Sequence, residues 1–140
     1  MLTINATQVR KDWSAILDTV TREKPIFIKR TRDEMFLANI GFLDEILSLY
    51  KFHANIFVEE NGSITISLDE IDLVENAPTE RDAIHKLAAS IHEYSQDYYE
   101  DYGYWAKGHR KAHMPYVFKA LMIGDIHKIG GLIECRHGGT

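Results

Sequence analysis

The chain has 140 residues, 45% of them hydrophobic, and a formal net charge of −5. This composition excludes a disordered chain, and apolar runs far shorter than the roughly 20 residues that span a bilayer exclude a membrane-crossing helix. A single cysteine, Cys135, leaves no internal disulfide, and the opening MLTINATQVRKDW lacks the layout of a secretory leader, so the expectation is a soluble cytoplasmic protein.

In chain order, residues 1–32 hold seven Lys/Arg against three acids, a net +4. Asn5 and Gln8 have the form of a capping box, after a first short strand. Val9, Trp13, Ile16, Leu17 and Val20 then recur at helical spacing and predict one stripe of a helix ending near Glu23, before Pro25. Ile26-Phe27-Ile28 and Met35-Phe36-Leu37-Ala38 read as a hairpin with Lys29, Arg30 and Arg32 gathered at its tip. FLDEILSLYK, residues 42–51, reads as a second helix with Phe42, Ile46, Leu49 and Tyr50 inward.

Residues 53–68, HANIFVEENGSITISL, predict another hairpin around Asn61-Gly62. A two-residue turn would mix polar and apolar side chains on one face. A three-residue loop, Glu60-Asn61-Gly62, pairs Val58 with Ile64, Ile56 with Ile66 and Ala54 with Leu68, and puts Gly62 in the left-handed bulge position. Thr79 then caps a long helix carrying Ile84, Leu87, Ala88, Ile91, Tyr94, Tyr98 and Tyr102 and ending near Gly103. A basic linker GHRKAH follows, then a short helix from Pro115, a break at Gly124-Asp125, and a last turn or two.

Residues 53–103 hold two bases against twelve acids, net −10, and residues 104–140 six against two, net +4. A basic head on an acidic body suggests two different partners. Arg10 and Lys11, read as lying in the first turns of a helix, would add to Lys29, Arg30 and Arg32 as a phosphate-binding edge. A solvated turn is the plain alternative. Tyr94, Tyr98, Tyr102 and Trp105 line the long helix and its end. They serve either as a packing stripe or as a partner contact, since Tyr and Trp concentrate at interface hot spots.

His109 and His113 are four apart, but Pro115 disturbs the helix that two metal ligands would need, and Cys135-Arg136-His137 is too closely spaced for a zinc pattern. No metal or cofactor is expected. No phosphate loop, nucleophile elbow or paired acid motif marks an enzyme, and the lone Cys135 is read as an unreactive thiol.

The segment INATQVRKDWSAILDTVTREKPIFIKRTRDEMFLANIGFLDEI resembles the N-terminal domain of the prevent-host-death (Phd/YefM) antitoxins. Asn5, Ala6, Arg10, Trp13, Leu17, Pro25, Ile26, Ile28, Arg30, Leu37 and Leu43 fill the matching places. The resemblance implies a homodimer that binds its own operator DNA through Asn5, Thr7, Arg10 and Arg30, with Lys11, Lys29 and Arg32 supporting. One departure stands out: the family usually has Gly-Lys/Arg-Pro at the hairpin tip, and this chain has Arg32-Asp33-Glu34. Asn61-Gly62-Ser63, Leu68 and Thr79 through Ala83 are similar to the hairpin-then-helix pattern of HicB-like modules, a combination typical of RelB-like antitoxin components.

The expected fold is therefore α+β. A Phd/YefM-like domain (β-α-β-β-α) would occupy residues 1–52, an acidic hairpin–helix module 53–103, and a basic linker with a helical tail, open to a toxin, 104–140. The expected function is a type II antitoxin that represses its own operon and neutralises a basic, RelE-like ribonuclease toxin, which an acidic surface could cover. The alternative is a dimeric protein-interaction module that has lost DNA binding.

Overall fold

A computed structural model describes residues 2–138 and separates the chain into two compact units, Met1–Ile46 and Leu47–Thr140. The first boundary thus falls some residues before the expected 52/53. The tail expected as a segment of its own belongs to the second unit.

Unit 1 starts with β1 (Thr3–Asn5), and the Asn5 side chain caps the next helix by accepting from the Thr7 backbone N–H at 2.7 Å. Gln8 does not reach back to complete a capping box. Its amide turns forward onto the Asp12 carboxylate. The single helix expected here is divided at Asp12 (φ −110°, ψ 31°) into α1 (Ala6–Lys11) and α2 (Trp13–Arg22). Aspartate is a weak helix former whose carboxylate competes for local donors, which suits this break. The hairpin follows as β2 (Ile26–Arg30) and β3 (Asp33–Leu37), then α3 (Ile40–Leu47). The sheet order is β1-β2-β3, with β1 parallel to β2 and β2 antiparallel to β3.

Two expectations about the hairpin and the helix after it need correction. Lys29 and Arg30 belong to the strand and not to the turn, which is Thr31-Arg32 alone, with Thr31 at φ 57°. A β-branched residue in the left-handed region is strained. In addition, the inward face expected for residues 42–51 is not buried: Ile46 and Leu49 are exposed, and Leu47 is the buried position.

Unit 2 is a four-stranded sheet, order β6-β5-β4-β7, covered by helices. β4 (Phe52–Val58) and β5 (Ile64–Leu68) pair Val58 with Ile64, Ile56 with Ile66 and Ala54 with Leu68, the register of the three-residue loop. Gly62 takes φ 85° at the bulge. β6 (Val74–Ala77) and β7 (Ile133–His137) were not expected as strands; β7 stands where a last helical turn was read. β6 is a short edge held partly by side chains, with Asn76 donating to the hydroxyls of Ser63 (3.0 Å) and Thr65 (2.9 Å). β7 pairs parallel with β4, Phe52 opposite Ile133.

The long helix α4 (Glu80–Glu100) begins as expected, the Thr79 hydroxyl accepting from the Asp82 N–H at 3.1 Å. A short turn α5 (Tyr102–Trp105) and a 3-10 segment (Gly108–His113) lead to α6 (Met114–Ile123) and α7 (Ile126–Gly131). Gly124 at φ 73° ends α6 in the left-handed conformation that glycine adopts without penalty, and Asp125 caps α7. Phe52, Ile66, Ile71, Leu87, Ile91 and Ile129 are almost fully buried in one core. Each is worth roughly 1.5–3 kcal/mol of apolar burial.

Candidate functional site

The residues expected at DNA lie on three elements of unit 1. The parallel register of β1 with β2 sets Asn5 beside Lys29, so the start of α1, with Thr7, adjoins the basic end of the hairpin. Asn5 uses its side-chain oxygen in the helix cap, which leaves its amide N–H groups for an acceptor. Arg10 and Lys11 form the last turn of α1, not its first turns as expected, so they stand at the carbonyl end of that helix.

Strand alternation divides the cations further. Lys29 shares a face with Phe27, and Arg30 shares the opposite face with buried Ile26. Each has a carboxylate directly opposite: Lys29 pairs with Glu34 and Arg30 with Asp33. Arg32 alone of the three occupies the turn. With its boundary at Ile46, unit 1 holds seven Lys/Arg and seven Asp/Glu, so its basic character is confined to the first 32 residues.

Unit 1 also exposes much apolar surface. Phe27 pairs across the hairpin with Phe36 at a ring separation of 5.0 Å, and Phe36 meets Phe42 at 5.3 Å. All three are exposed, as are Trp13 and Leu17 of the expected helical stripe, of which only Val9 and Val20 are buried. In sequence, this face is signalled only by Phe27 and Phe36 falling opposite one another, which requires the turn to lie at Thr31-Arg32.

In unit 2 the aromatic residues divide into two sets. Tyr98 is fully buried, its hydroxyl donating to the Arg110 carbonyl at 2.8 Å, and Tyr94 bonds His113 Nδ1 at 2.7 Å. Burial raises the pKa of both tyrosines and lowers that of His113, against the opposing pull of Asp72, 4.0 Å from its Nε2. Trp105 is half-buried against Tyr94 and under the Arg110 guanidinium, 4.8 Å from the ring. These residues pack the end of α4. Tyr102 is exposed, and together with exposed Tyr99 it flanks Phe118 at 6.1 and 5.9 Å. Phe118 was not singled out from sequence. The helix face that joins them depends on α6 folding back on α4.

Among the described residues no cluster of three or more His, Cys, Asp or Glu is arranged to hold a metal ion. Burial, with Glu80 nearby, pushes the Cys135 thiol up, away from the thiolate that chemistry would need. No helix among the described residues is long and apolar enough to cross a membrane.

A family model described as "Antitoxin of toxin-antitoxin, RelE / RelB, TA system", with the name PHD-like, matches residues 1–135. The chain belongs to this antitoxin family. A crystal structure from Syntrophomonas wolfei subsp. wolfei, described as an antitoxin part of a proposed toxin/antitoxin system, is 37% identical with a TM-score of 0.91, over 99% of this chain and 100% of that one. No curated protein matches the chain. The antitoxin family and fold are non-enzymatic, and they imply a toxin as partner.

Proposed function

We propose that this antitoxin assigns its two tasks to its two units. Unit 1 forms a homodimer through the Phe27–Phe36–Phe42 face and binds operator DNA through Asn5, Thr7, Arg10, Lys11, Lys29, Arg30 and Arg32, repressing its own operon. Unit 2 neutralises a basic, RelE-like ribonuclease toxin by direct binding. The observation that carries the DNA reading is the β1–β2 register, which brings the start of α1 to the basic end of the hairpin. Support for the toxin reading comes from the acidic character of residues 53–103 and from Tyr99, Tyr102 and Phe118, an exposed aromatic group beside Glu100 and Asp101.

The experiment is fluorescence anisotropy of a labelled duplex from the gene's upstream region, titrated at several salt concentrations beside Arg10→Ala/Arg30→Ala. The expected result is binding that weakens steeply with salt in the parent, with the log–log slope reduced by roughly two in the variant. A second reading is favoured by Asp33 and Glu34 standing opposite Arg30 and Lys29: a dimeric protein-interaction module without DNA binding. No affinity above that for a random duplex, with and without the toxin, would select it. Toxin binding is tested by co-expression. Tyr102→Ala/Tyr99→Ala should lower toxin affinity at least tenfold, and unchanged affinity would place the toxin elsewhere.

A further inference from the structure

β7 is an edge strand. Its Gly138 N–H donates to the Ile56 carbonyl at 2.9 Å, and Ile56 is in register with His137. Alternate residues of a parallel ladder face one neighbour, so Ile133, Cys135 and His137 turn their N–H and C=O groups to the open side. Among the described residues these groups meet nothing there except the Cys135 thiol, 3.8 Å from the Ile133 carbonyl. Natural edges are commonly guarded by like charges that repel a second strand. This one carries opposite charges in a symmetric order, Glu134-Cys135-Arg136.

We propose that β7 is a self-association surface, at which two copies of the chain pair their β7 strands antiparallel about a two-fold axis at Cys135 and join their sheets into one. In that register Glu134 of each copy stands opposite Arg136 of the other, twice over. These are non-hydrogen-bonded pairs, the closer kind, at about 4.5 Å between Cα atoms. The outer face agrees. Leu132, exposed just before β7, falls opposite Gly138 of the second copy, and exposed Phe57 of that copy lies against that glycine, so close that a Cβ there would meet its ring at 2.6 Å. The pairing covers two apolar side chains per copy that the single chain leaves in water, and it is self-complementary, as a two-fold contact must be. At the ends Ile133 faces His137. A single chain offers these charges weaker or different partners: Glu134 is 3.8 Å from Lys51 and 3.9 Å from His53, and Arg136 pairs with Asp69.

The surface is separate from the unit 1 face proposed above, and the test separates the two. The full-length chain, Arg136→Glu and the exchange Glu134→Arg/Arg136→Glu are compared by sedimentation equilibrium. They are also treated with a short bismaleimide, which can join two chains only through Cys135 because each has one cysteine. The parent should give a covalent dimer. Arg136→Glu should lose it and bring the weight-average mass down to about half. The exchange should restore both, although it leaves the internal contacts with Lys51 and Asp69 broken. Phe36→Glu, which addresses unit 1 alone, should leave the cross-link intact. Masses and cross-links that are the same in all variants would overturn the proposal, as would an exchange that fails to restore what Arg136→Glu removed.

Discussion

Units 1 and 2 each combine a hairpin with helices, but they differ in how far they bury their apolar residues. Among the described residues, unit 1 buries three hydrophobic side chains, Val9, Val20 and Ile26, while unit 2 buries seventeen. Unit 2 lays α4, α6 and α7 over a four-stranded sheet, so each strand has a covered face. Unit 1 leaves Phe27 and Phe36 of its three-stranded sheet exposed, together with Phe42 of α3, which packs on Phe36. Contiguous exposed aromatics of this kind mark an interaction surface, and a domain of this size is marginal without one. Stability and incompleteness are thus assigned to different ends of one chain.

The sharpest way to break this contrast is in the unit 2 core. Phe52→Ala removes a fully buried ring between the sheet and Tyr116 and should cost unit 2 about 3–5 kcal/mol in urea unfolding, leaving signals from unit 1 unchanged. A shift of both units together would show that they unfold as one. Next in size is the open face. If a second copy completes unit 1, its thermal midpoint rises with protein concentration, and Phe36→Glu abolishes that rise at a cost of about 2–3 kcal/mol at working concentrations. A midpoint independent of concentration in the parent would refute this.

A smaller, stabilising change lies at the hairpin. Thr31→Gly relieves a β-branched residue at φ 57° and should raise the stability of unit 1 by about 1 kcal/mol, read as a shift in its melting transition. The last effect belongs to His113. Burial depresses its folded pKa below the ordinary histidine value of about 6.5, so the unfolded chain takes up the proton first. Unit 2 should hold its full stability above that value and lose part of it as pH falls toward the folded pKa. A parallel urea series on His113→Gln should lack this component, and an equal pH dependence in both chains would contradict the assignment.

How much of this was legible in sequence depended on whether the signal was local. The register of β4 with β5 could be argued because both strands and their glycine turn lie within 17 residues, Phe52 to Leu68, and only one pairing gives a clean apolar face. Thr79 as a cap and the ends of α6 were legible for the same reason. β7 was not, because Ile133-Glu-Cys-Arg-His has one strong apolar residue, and its strand character comes from β4 across the fold. The candidate site suffered likewise. The cations could be named, but not the carboxylate opposite each, since that depends on whether the turn begins after Arg30 or after Ile28. Tyr98 carried the same sequence signal as Tyr102, and only the return of the 3-10 segment to its hydroxyl made one a core residue and left the other exposed.

The pairing of β4 with β7 also bears on the order of events during synthesis. Phe52 and Ile133 are 81 residues apart along the chain, and β4 from Phe52 to Ile56 waits on a strand that the ribosome makes long afterwards. Unit 1 has all its strands by Leu37 and can begin folding early, as N-terminal domains generally do. Unit 2 cannot close its sheet until the 130s have emerged, and loop closure on that scale slows folding. Any nascent chain halted before Ile133 would display a folded unit 1 followed by an open β4 edge, a species prone to pair with the wrong strand. The interval between the two folding events is therefore the period in which this antitoxin is most exposed to proteases and to aggregation.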